Sequence, residues 1–487
     1  MTAGARLSEL LAGIVNVDAQ NDCNVSALAL DSRQVVPGAL FLALPGLRHD
    51  GRAFIADAIA RGAVAIVFDP DSFDSAPMSV PAFGVARLAM HASAIADRFY
   101  GAPSHHLVVI GVTGTNGKTT CTQLLAQALD QPPRRCAVIG TLGYGFPDAI
   151  DPGTHTTPDA ITTQRLLADA RARGAAYAAM EVSSHALDQG RVEAVAFAIA
   201  VFTNLSRDHL DYHGDMQRYA AAKTRLFLRD GLTAAVVNRD DAHGLDLIER
   251  LGGHTRVITY GLSRGDVYAL ALDCAPSGLR LRAITPRGEL DIATPLLGRF
   301  NVYNLLAVLA TLLALGLDPQ DAANRLSRLR SVPGRVERFK ATDDQPLIVV
   351  DYAHTPDALD QVLQALRPHV AGKLWCVFGC GGDRDRGKRP QMGAIAERLA
   401  DRVILTDDNP RHEAGDAIVR EIAGGMRSSA RIIRDRREAI ATALSEADAA
   451  DVVLVAGKGH EDYQQIGDTR HPYSDRDTVR ALLGLAA

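Results

Sequence analysis

The chain of 487 residues has no long hydrophobic run, few aromatics and no surplus of positive charge. Its longest apolar stretch, Leu305 to Leu317, is broken by Thr311 and Gly316 and falls short of the roughly 20 residues that cross a bilayer as a helix. Membrane insertion is therefore not expected. The N-terminal segment carries Arg6 and Glu9 but no apolar core that would direct secretion. The formal net charge is −5, so no overall basic field argues for nucleic acid. Of six cysteines, only Cys376 and Cys380 lie close together. A zinc site needs further ligands grouped nearby, so the pair reads as reduced core thiols. No repeat or low-complexity segment stands out, and no obligate protein partner is evident. What is present is 47% apolar and 22% charged residues, the composition of a soluble globular protein with length for about three domains. A cytoplasmic enzyme is the expectation.

The most informative stretch is Gly111-Val112-Thr113-Gly114-Thr115-Asn116-Gly117-Lys118-Thr119-Thr120. An apolar run, Leu107 to Ile110, leads in, and a helical pattern with Leu124, Leu125 and Leu129 leads out. Strand, glycine-rich turn and helix presents backbone N–H groups and a helix N-terminus to phosphate. Lys118 would add a point charge near the terminal phosphates, and Thr119 a hydroxyl for Mg²⁺. Val112 replaces the usual first glycine of such loops. The premise is a nucleoside triphosphate site.

Around the loop, apolar runs alternate with helical patterns, which predicts a mainly parallel sheet. Polar residues gather after the strands, where ligands of such sheets bind: Thr156 and Thr157, Glu181 to His185, and Asn204 to Gly214. Glu181 and His209 are plausible Mg²⁺ contacts, carboxylate being the more usual ligand. Lys223 sits in a helical stretch where a solvated or salt-bridged lysine is the plain expectation. In the first hundred residues, Phe54 to Ala60 reads as a helix, Arg61-Gly62 as its stop and Ala63 to Phe68 as a strand. Leu30-Asp31-Ser32-Arg33 reads as a turn before it reads as a binding site. Alternation over Leu279 to Ile284 predicts a hairpin, followed by a helix from Asn301 to Leu315 with Asn301 as its cap. In the last third, strands end in charged, glycine- or proline-bearing loops at Asp351, Gly379, Thr406 and Ala456, which should converge on one sheet edge.

Taken together, Gly114 to Thr120, Glu181-Val182-Ser183-Ser184-His185, Asp208 to Gly214, Asn301 and Pro333-Gly334-Arg335 resemble the Mur ligases, ATP-dependent amide-forming enzymes of peptidoglycan precursor synthesis. In that family Val112 is an ordinary feature of the loop. The resemblance implies three α/β domains: a UDP-muramyl-substrate-binding domain over 1–103, a P-loop ATPase domain with a mainly parallel sheet over 104–334, and a Rossmann-like amino-acid-binding domain over 335–487. It implies ATP contacts at Gly114, Thr115, Asn116, Gly117, Lys118, Thr119, Thr120, Asn301 and Arg335. It places Mg²⁺ at Thr119, Glu181 and His209, and a carbamate on Lys223 that holds a second ion. Lys118, Glu181, His209 and Lys223 are the implied catalytic group. For UDP-N-acetylmuramoyl-L-alanyl-D-glutamate it carries over Leu30, Ser32, Leu47, Arg48, His49, Thr156, Thr157, Ser183, Gln189 and Arg191, with His155 where many relatives have asparagine. Asp408-Asn409-Pro410-Arg411 resembles the motif of members that add meso-2,6-diaminopimelate, and Arg384, Gly457 and Glu461 join it. The physical reason is that diaminopimelate carries a carboxylate lysine lacks, which a guanidinium fork binds bidentately.

Two other readings stand against this one. Asp211-Tyr212-His213-Gly214 and Asn238-Arg239-Asp240-Asp241 imitate motifs of a GTPase switch, although arginine replaces the expected lysine. Folylpolyglutamate synthetases share the loop and the acyl phosphate chemistry, but not Asp408 to Arg411 or the first hundred residues.

Overall fold

The computed structural model describes residues 4–46, 50–74, 77–153, 155–253 and 255–486. The chain divides into two compact units, Met1–Thr259 and Tyr260–Ala487. Among the described residues no helix is long and apolar enough to cross a membrane.

Besides a short antiparallel pairing of Ala5–Arg6 with Asn24–Val25, the first unit holds two larger sheets. Near its start, Ala27–Ala29, Ala39–Ala43, Ala63–Phe68 and Ala82–Gly84 form an all-parallel sheet in chain order. The helix expected over 54–60 is Ile55–Ala60, preceded by a 3₁₀ turn, Gly51–Phe54. Gly62 ends it at φ +100°, and a Cβ there would lie 2.9 Å from Pro37 Cα, so the stop needs glycine for both torsion and space. Leu40, Val67, Leu88 and Ile95 share a core with Ala160 and Ile161.

The second sheet has five parallel strands at its heart, in the order Arg135–Gly140, Ala175–Glu181, Val108–Thr113, Phe197–Phe202, Ala234–Asn238. An antiparallel hairpin, Gly143–Phe146 with Ala149–Asp151, extends one side. Strands buried on both faces read as unbroken apolar runs, as Val108–Thr113 does with Val109, Ile110 and Val112 fully buried. Val112 is thus a core residue of the strand, and the loop turns only after it. The central strand feeds the helix Lys118–Leu129.

The second unit begins with a meander. The expected hairpin has a third strand: Val267–Ala275, Gly278–Thr285 and Gly288–Thr294 pair antiparallel in succession. The helix expected from Asn301 starts earlier, as Arg299–Ala314, with Gly298 in the cap position at φ +88°. Asn301 is therefore inside the first turn, where its Nδ2 donates to Leu297 O at 2.7 Å. His369 locks this start: Gly298 N donates to its Nε2 at 3.0 Å, and its Nδ1 meets Ala275 O at 2.6 Å.

The last sheet runs Glu337–Phe339, Leu347–Asp351, Val452–Ala456, Leu374–Phe378, Arg402–Leu405, Arg431–Ile432. All pairings but the first are parallel, and apolar clusters cover both faces. Cys376 is a buried strand residue, whereas Cys380 lies just past the strand end, its Sγ 3.6 Å from Met392 Sδ. All six cysteines are free thiols. Because Leu347–Asp351, Val452–Ala456, Leu374–Phe378 and Arg402–Leu405 run parallel, the loops after Asp351, Phe378, Leu405 and Ala456 open on one edge.

Candidate active site

In the first unit the phosphate loop is held from behind by the next strand's exit. Thr115 N donates to Asn204 O at 2.8 Å, and Asn116 N to Asn204 Oδ1 at 3.0 Å. Thr203 Oγ1 and Asn204 Nδ2 both donate to Asn116 O, at 2.6 and 3.0 Å. Gly114 has φ +150°, and a Cβ on it would overlap Thr203 Oγ1 at 1.8 Å. Only glycine lets the loop lie this close. Gly117, at φ +86°, is the cap position of the helix that follows. The ammonium of Lys118 folds back onto the loop, donating to Gly114 O and Thr115 O at 2.8 Å each.

Glu181 ends the neighbouring strand and is 1% exposed. Its carboxylate accepts from Thr119 Oγ1 at 2.9 Å, Thr141 Oγ1 at 3.2 Å and Thr141 N at 2.7 Å. A hydroxyl and a carboxylate beside a phosphate loop are hard oxygen donors of the kind Mg²⁺ takes, so these residues fit that ion. Thr156 joins through Thr141, Oγ1 to Oγ1 at 3.0 Å. Thr157 Oγ1 donates to Glu181 O at 2.8 Å and accepts from Ser183 N at 3.0 Å. Arg191 Nη1 donates to Thr157 O at 3.0 Å, and its Nε to Gln189 Oε1 at 2.9 Å. Thr156, Thr157, Ser183, Gln189 and Arg191, spread over 36 positions of sequence, thus form one connected patch beside Glu181.

Lys223 departs from its sequence expectation. It is 1% exposed, its Nζ donates to Gly114 O at 2.8 Å and lies 4.5 Å from the centre of the Tyr219 ring. Among the described residues no carboxylate pairs with it. Burial, reinforced by the Lys118 charge, lowers its pKa well below the ordinary lysine value. The buried setting arises because the helix Met216–Thr224 packs its Tyr219, Ala222 and Lys223 inward; a lysine between Ala220-Ala221-Ala222 and Thr224-Arg225 carries no sign of this in the sequence. His209 sits at φ +53° before the short helix Leu210–His213. Its ring meets those of His185 and Tyr219 at 4.9 and 5.9 Å. Burial, opposed by Asp208, depresses its pKa, favouring the neutral imidazole able to bind a metal.

The imitation of a guanine-reading motif has a structural explanation. Asn238 Nδ2 donates to Thr203 O at 2.7 Å and its Oδ1 accepts from Asp240 N. Asp241 caps the helix Ala242–Leu251. These residues make a turn. Likewise Asp31 caps the 3₁₀ turn Ser32–Gln34 and pairs with Arg33, as the turn reading of that segment expects; Ser32 is buried and Leu30 half-buried. Leu47, Arg48 and His49 lie outside the described residues.

The second unit gathers the charged loops of its sheet. Arg411 lies in the left-handed region at φ +50°, held there by Gln465 O, which accepts its N–H at 3.0 Å, and by Gly467 N, which donates to its carbonyl at 2.8 Å. Its Nη1 donates to Gly382 O at 2.8 Å. Arg384 is exposed. A Cβ on Gly381 would lie 2.8 Å from Arg411 Nη1 and 3.6 Å from Arg384 Cγ, so the two arginines flank one glycine. Asn409 is buried and donates through Nδ2 to Glu461 Oε2 at 3.1 Å. Burial raises the pKa of Glu461 despite Lys458. Pro410 links Asn409 to Arg411, and its carbonyl would collide with any Cβ on Gly382, at 1.9 Å. Gly457, at φ +121°, opens the loop that carries Glu461.

Sequence reasoning passed over Lys458, which is 0% exposed and whose Nζ donates to Asn409 Oδ1 and Tyr463 O at 2.8 Å each. A lysine between two glycines gave no sign of burial. Of the two residues expected on the nucleoside side of ATP, Arg335 stacks over Tyr352 at 4.8 Å. Asn301 is 3% exposed, and its Oδ1 accepts from Asn304 Nδ2 at 2.9 Å.

A phosphate loop on a parallel sheet, with a buried carboxylate at the next strand end, defines a nucleotide-handling α/β enzyme. Comparison with known proteins narrows this. Three family descriptions match in order: the Mur ligase family catalytic domain over 24–100, the Mur ligase middle domain over 112–312, and the Mur ligase glutamate ligase domain over 334–459. The chain belongs to the Mur ligase family. It is 52% identical over 473 residues to the UDP-N-acetylmuramoyl-L-alanyl-D-glutamate–2,6-diaminopimelate ligase of Pseudomonas aeruginosa, covering 96% of each chain. It is 50% identical over 493 residues to the ligase of the same name from Alkalilimnicola ehrlichii, covering 98% of this chain and 99% of that one. A solved structure with that name aligns at TM-score 0.76 and 39% identity, covering 99% of each chain. A folylpolyglutamate synthase of Mycobacterium tuberculosis, at TM-score 0.62 and 20% identity over 82% of this chain and 96% of that one, shares the fold.

Proposed function

We propose that this chain is an ATP-dependent carbon–nitrogen ligase of peptidoglycan precursor synthesis. It adds meso-2,6-diaminopimelate to the D-glutamate γ-carboxylate of UDP-N-acetylmuramoyl-L-alanyl-D-glutamate and forms ADP and phosphate. The observation that carries the reading is Arg411. It is the last residue of an Asp-Asn-Pro-Arg turn, and Gln465 and Gly467 hold its backbone while one side-chain nitrogen is spent on Gly382 O. The rest of the fork suits the carboxylate that separates diaminopimelate from lysine.

In the proposed division of labour, residues 1–103 take the nucleotide-sugar end, 104–334 take ATP, and 335–487 take the amino acid. The γ-carboxylate oxygen attacks the γ-phosphorus, the bond to the ADP oxygen breaks, and an acyl phosphate forms. Negative charge spreads over phosphoryl oxygens in such transfers, so catalysis is positioning and cationic stabilisation. The loop N–H groups of Gly114 to Thr120 and the Lys118 ammonium supply both. Thr119 and Glu181, joined by His209 in this proposal, would hold Mg²⁺, whose charge would offset that of the phosphates. The uncharged Lys223 amine is the form that adds CO₂, losing a proton to give a carbamate, an anionic ligand for a second ion. Thr156, Thr157, Ser183, Gln189 and Arg191 present the muramyl peptide beside Glu181. An amine of diaminopimelate then attacks the acyl carbon, loses a proton, and the tetrahedral intermediate expels phosphate. Both nucleotide substrates are cytoplasmic metabolites, which is where we place the reaction.

The test is phosphate release with the UDP-muramyl dipeptide and ATP, offering meso-diaminopimelate and L-lysine in turn. Release with diaminopimelate and little with lysine is expected. Preference for lysine sinks the role of Arg411; silence with both amines sinks the function.

A further inference from the structure

Lys458 occupies a position no carboxylate-binding or ammonium-binding role explains. Its ammonium is fully buried, yet four groups from two separate loops meet it. Asn409 Oδ1 and Tyr463 O accept from it at 2.8 Å each. Asp408 Oδ1 lies at 3.3 Å and Glu461 Oε2 at 3.6 Å. The Asp408 contact is an ion pair at an angle unsuited to a hydrogen bond, since that buried oxygen has no hydrogen-bond partner. An ammonium taken out of water is tolerated only when paired and hydrogen-bonded, and Lys458 has both kinds of partner.

The directions of these bonds matter more than their number. Asn409 Oδ1 accepts both from Lys458 Nζ and from Gln465 N, the latter at 2.9 Å. With the carbonyl oxygen fixed by two donors, the amide nitrogen must face the other way, and it donates to Glu461 Oε2. Lys458 thus sets the orientation of Asn409, and Asn409 sets the position of the Glu461 carboxylate. The Tyr463 contact ties the same ammonium to the base of the hairpin Tyr463–Ile466 and Thr469–Pro472, whose Gln465 and Gly467 hold the backbone of Arg411. Gln464 closes the ring, its Nε2 donating to Asp408 O at 2.9 Å. Arg411, proposed for the carboxylate of the amino acid, and Glu461, whose carboxylate suits an ammonium, therefore share one buried anchor.

We infer that Lys458 is the positioning residue that fixes the spacing between Arg411 and Glu461, and so sets recognition of an amino-acid head carrying both a carboxylate and an ammonium. The inference rests on the function proposed above. It makes Lys458 a determinant of amine choice without contact to the amine.

The experiment measures KM and kcat for meso-diaminopimelate, ATP and the UDP-muramyl dipeptide in the wild type, K458M, K458R and N409S. K458M is expected to raise KM for diaminopimelate by about tenfold or more, with KM for ATP moved less than about twofold. K458R, which keeps the charge, falls between K458M and the wild type. N409S, which cuts the link to Glu461 and keeps Lys458, raises the same KM by a comparable factor. The ratio of diaminopimelate to L-lysine turnover should fall in step with these KM values, a change that general loosening of the fold does not produce. An unchanged KM for diaminopimelate in K458M, or an equal rise for all three substrates, overturns the inference. If K458M does not fold, K458R decides: a normal KM for diaminopimelate overturns the inference, and a selective rise supports it. A wild type inactive with diaminopimelate fails the function itself, a result distinct from all of these.

Discussion

Lys118 and Lys223 donate to the same oxygen, the carbonyl of Gly114, at 2.8 Å each. Two ammonium groups on one acceptor repel, and the buried member yields: the pKa of Lys223 is lowered by burial first and by Lys118 second. The phosphate loop therefore does more than cradle an anion. Its backbone brings a charged lysine next to one that gains by shedding its proton.

Lys223→Met should cut turnover by about a hundredfold or more, with bicarbonate stimulating the wild type and leaving the variant unmoved. Stability should shift the other way. Because the folded chain disfavours the protonated amine, it binds fewer protons than the unfolded chain, and stability rises with pH from the depressed pKa of Lys223 up to the ordinary value of 10.5. The variant should lose that slope and melt no lower than the wild type at neutral pH. Thermal denaturation of both proteins across the alkaline range checks this; parallel curves would remove Lys223 as a depressed titrating group.

Glu181→Gln keeps the shape and can still bond Thr119 and Thr141, so its melting temperature should stay within a few degrees of the wild type (about 1 kcal/mol or less). It removes the charge, and kcat should fall by about 10²-fold with the Mg²⁺ requirement pushed upward. Phosphate release titrated with Mg²⁺ reads both. A half-saturating concentration equal to that of the wild type would argue against Glu181 as a metal contact.

Arg411→Lys retains a positive charge and loses the planar fork. Discrimination for meso-diaminopimelate over L-lysine should fall by about 10–100-fold, mostly through kcat/KM for diaminopimelate. Competition between the two amines, resolved by mass spectrometry of the product, measures the ratio. Undiminished preference would assign the selection to another residue.

Asp451 gathers three donors at the amino end of the last sheet: Trp375 Nε1 at 2.9 Å, Lys373 N at 2.7 Å and Asp448 N at 3.1 Å. Asp451→Ala strands them and should cost about 3 kcal/mol of stability. Trp375 is the only tryptophan, so its fluorescence during urea unfolding reports the change directly. A midpoint that does not move would mean that water replaces the carboxylate at no cost.

The strands and loops of both large sheets were legible because a buried parallel strand is a short apolar run and its ligand-bearing end is a sudden polar cluster. Gly114 and Gly117 were legible for the same reason. Lys223 and Lys458 were not, since burial of a lysine depends on what the rest of the fold packs around it, and neither local pattern encodes that. Asn301 illustrates a milder failure: asparagine is a good cap, and Gly298 took the cap position because His369, far along the chain, binds its N–H. The third strand of the meander was missed although Leu290, Ile292 and Thr294 alternate with exposed Asp291 and Ala293, because only two of its inward residues are large and apolar, too few to stand out as a strand.

The left-handed backbone of Arg411 has an evolutionary side. That conformation costs a side-chain-bearing residue about 1 kcal/mol, a burden that glycine escapes and asparagine largely avoids. The torsion therefore favours discarding the arginine, and only its ligand chemistry favours keeping it. A single substitution there would leave a more relaxed protein with a less discriminating pocket. Fidelity to one amine is thus held against a standing conformational pull, and relaxed selection on the peptide would be expected to show first at this residue.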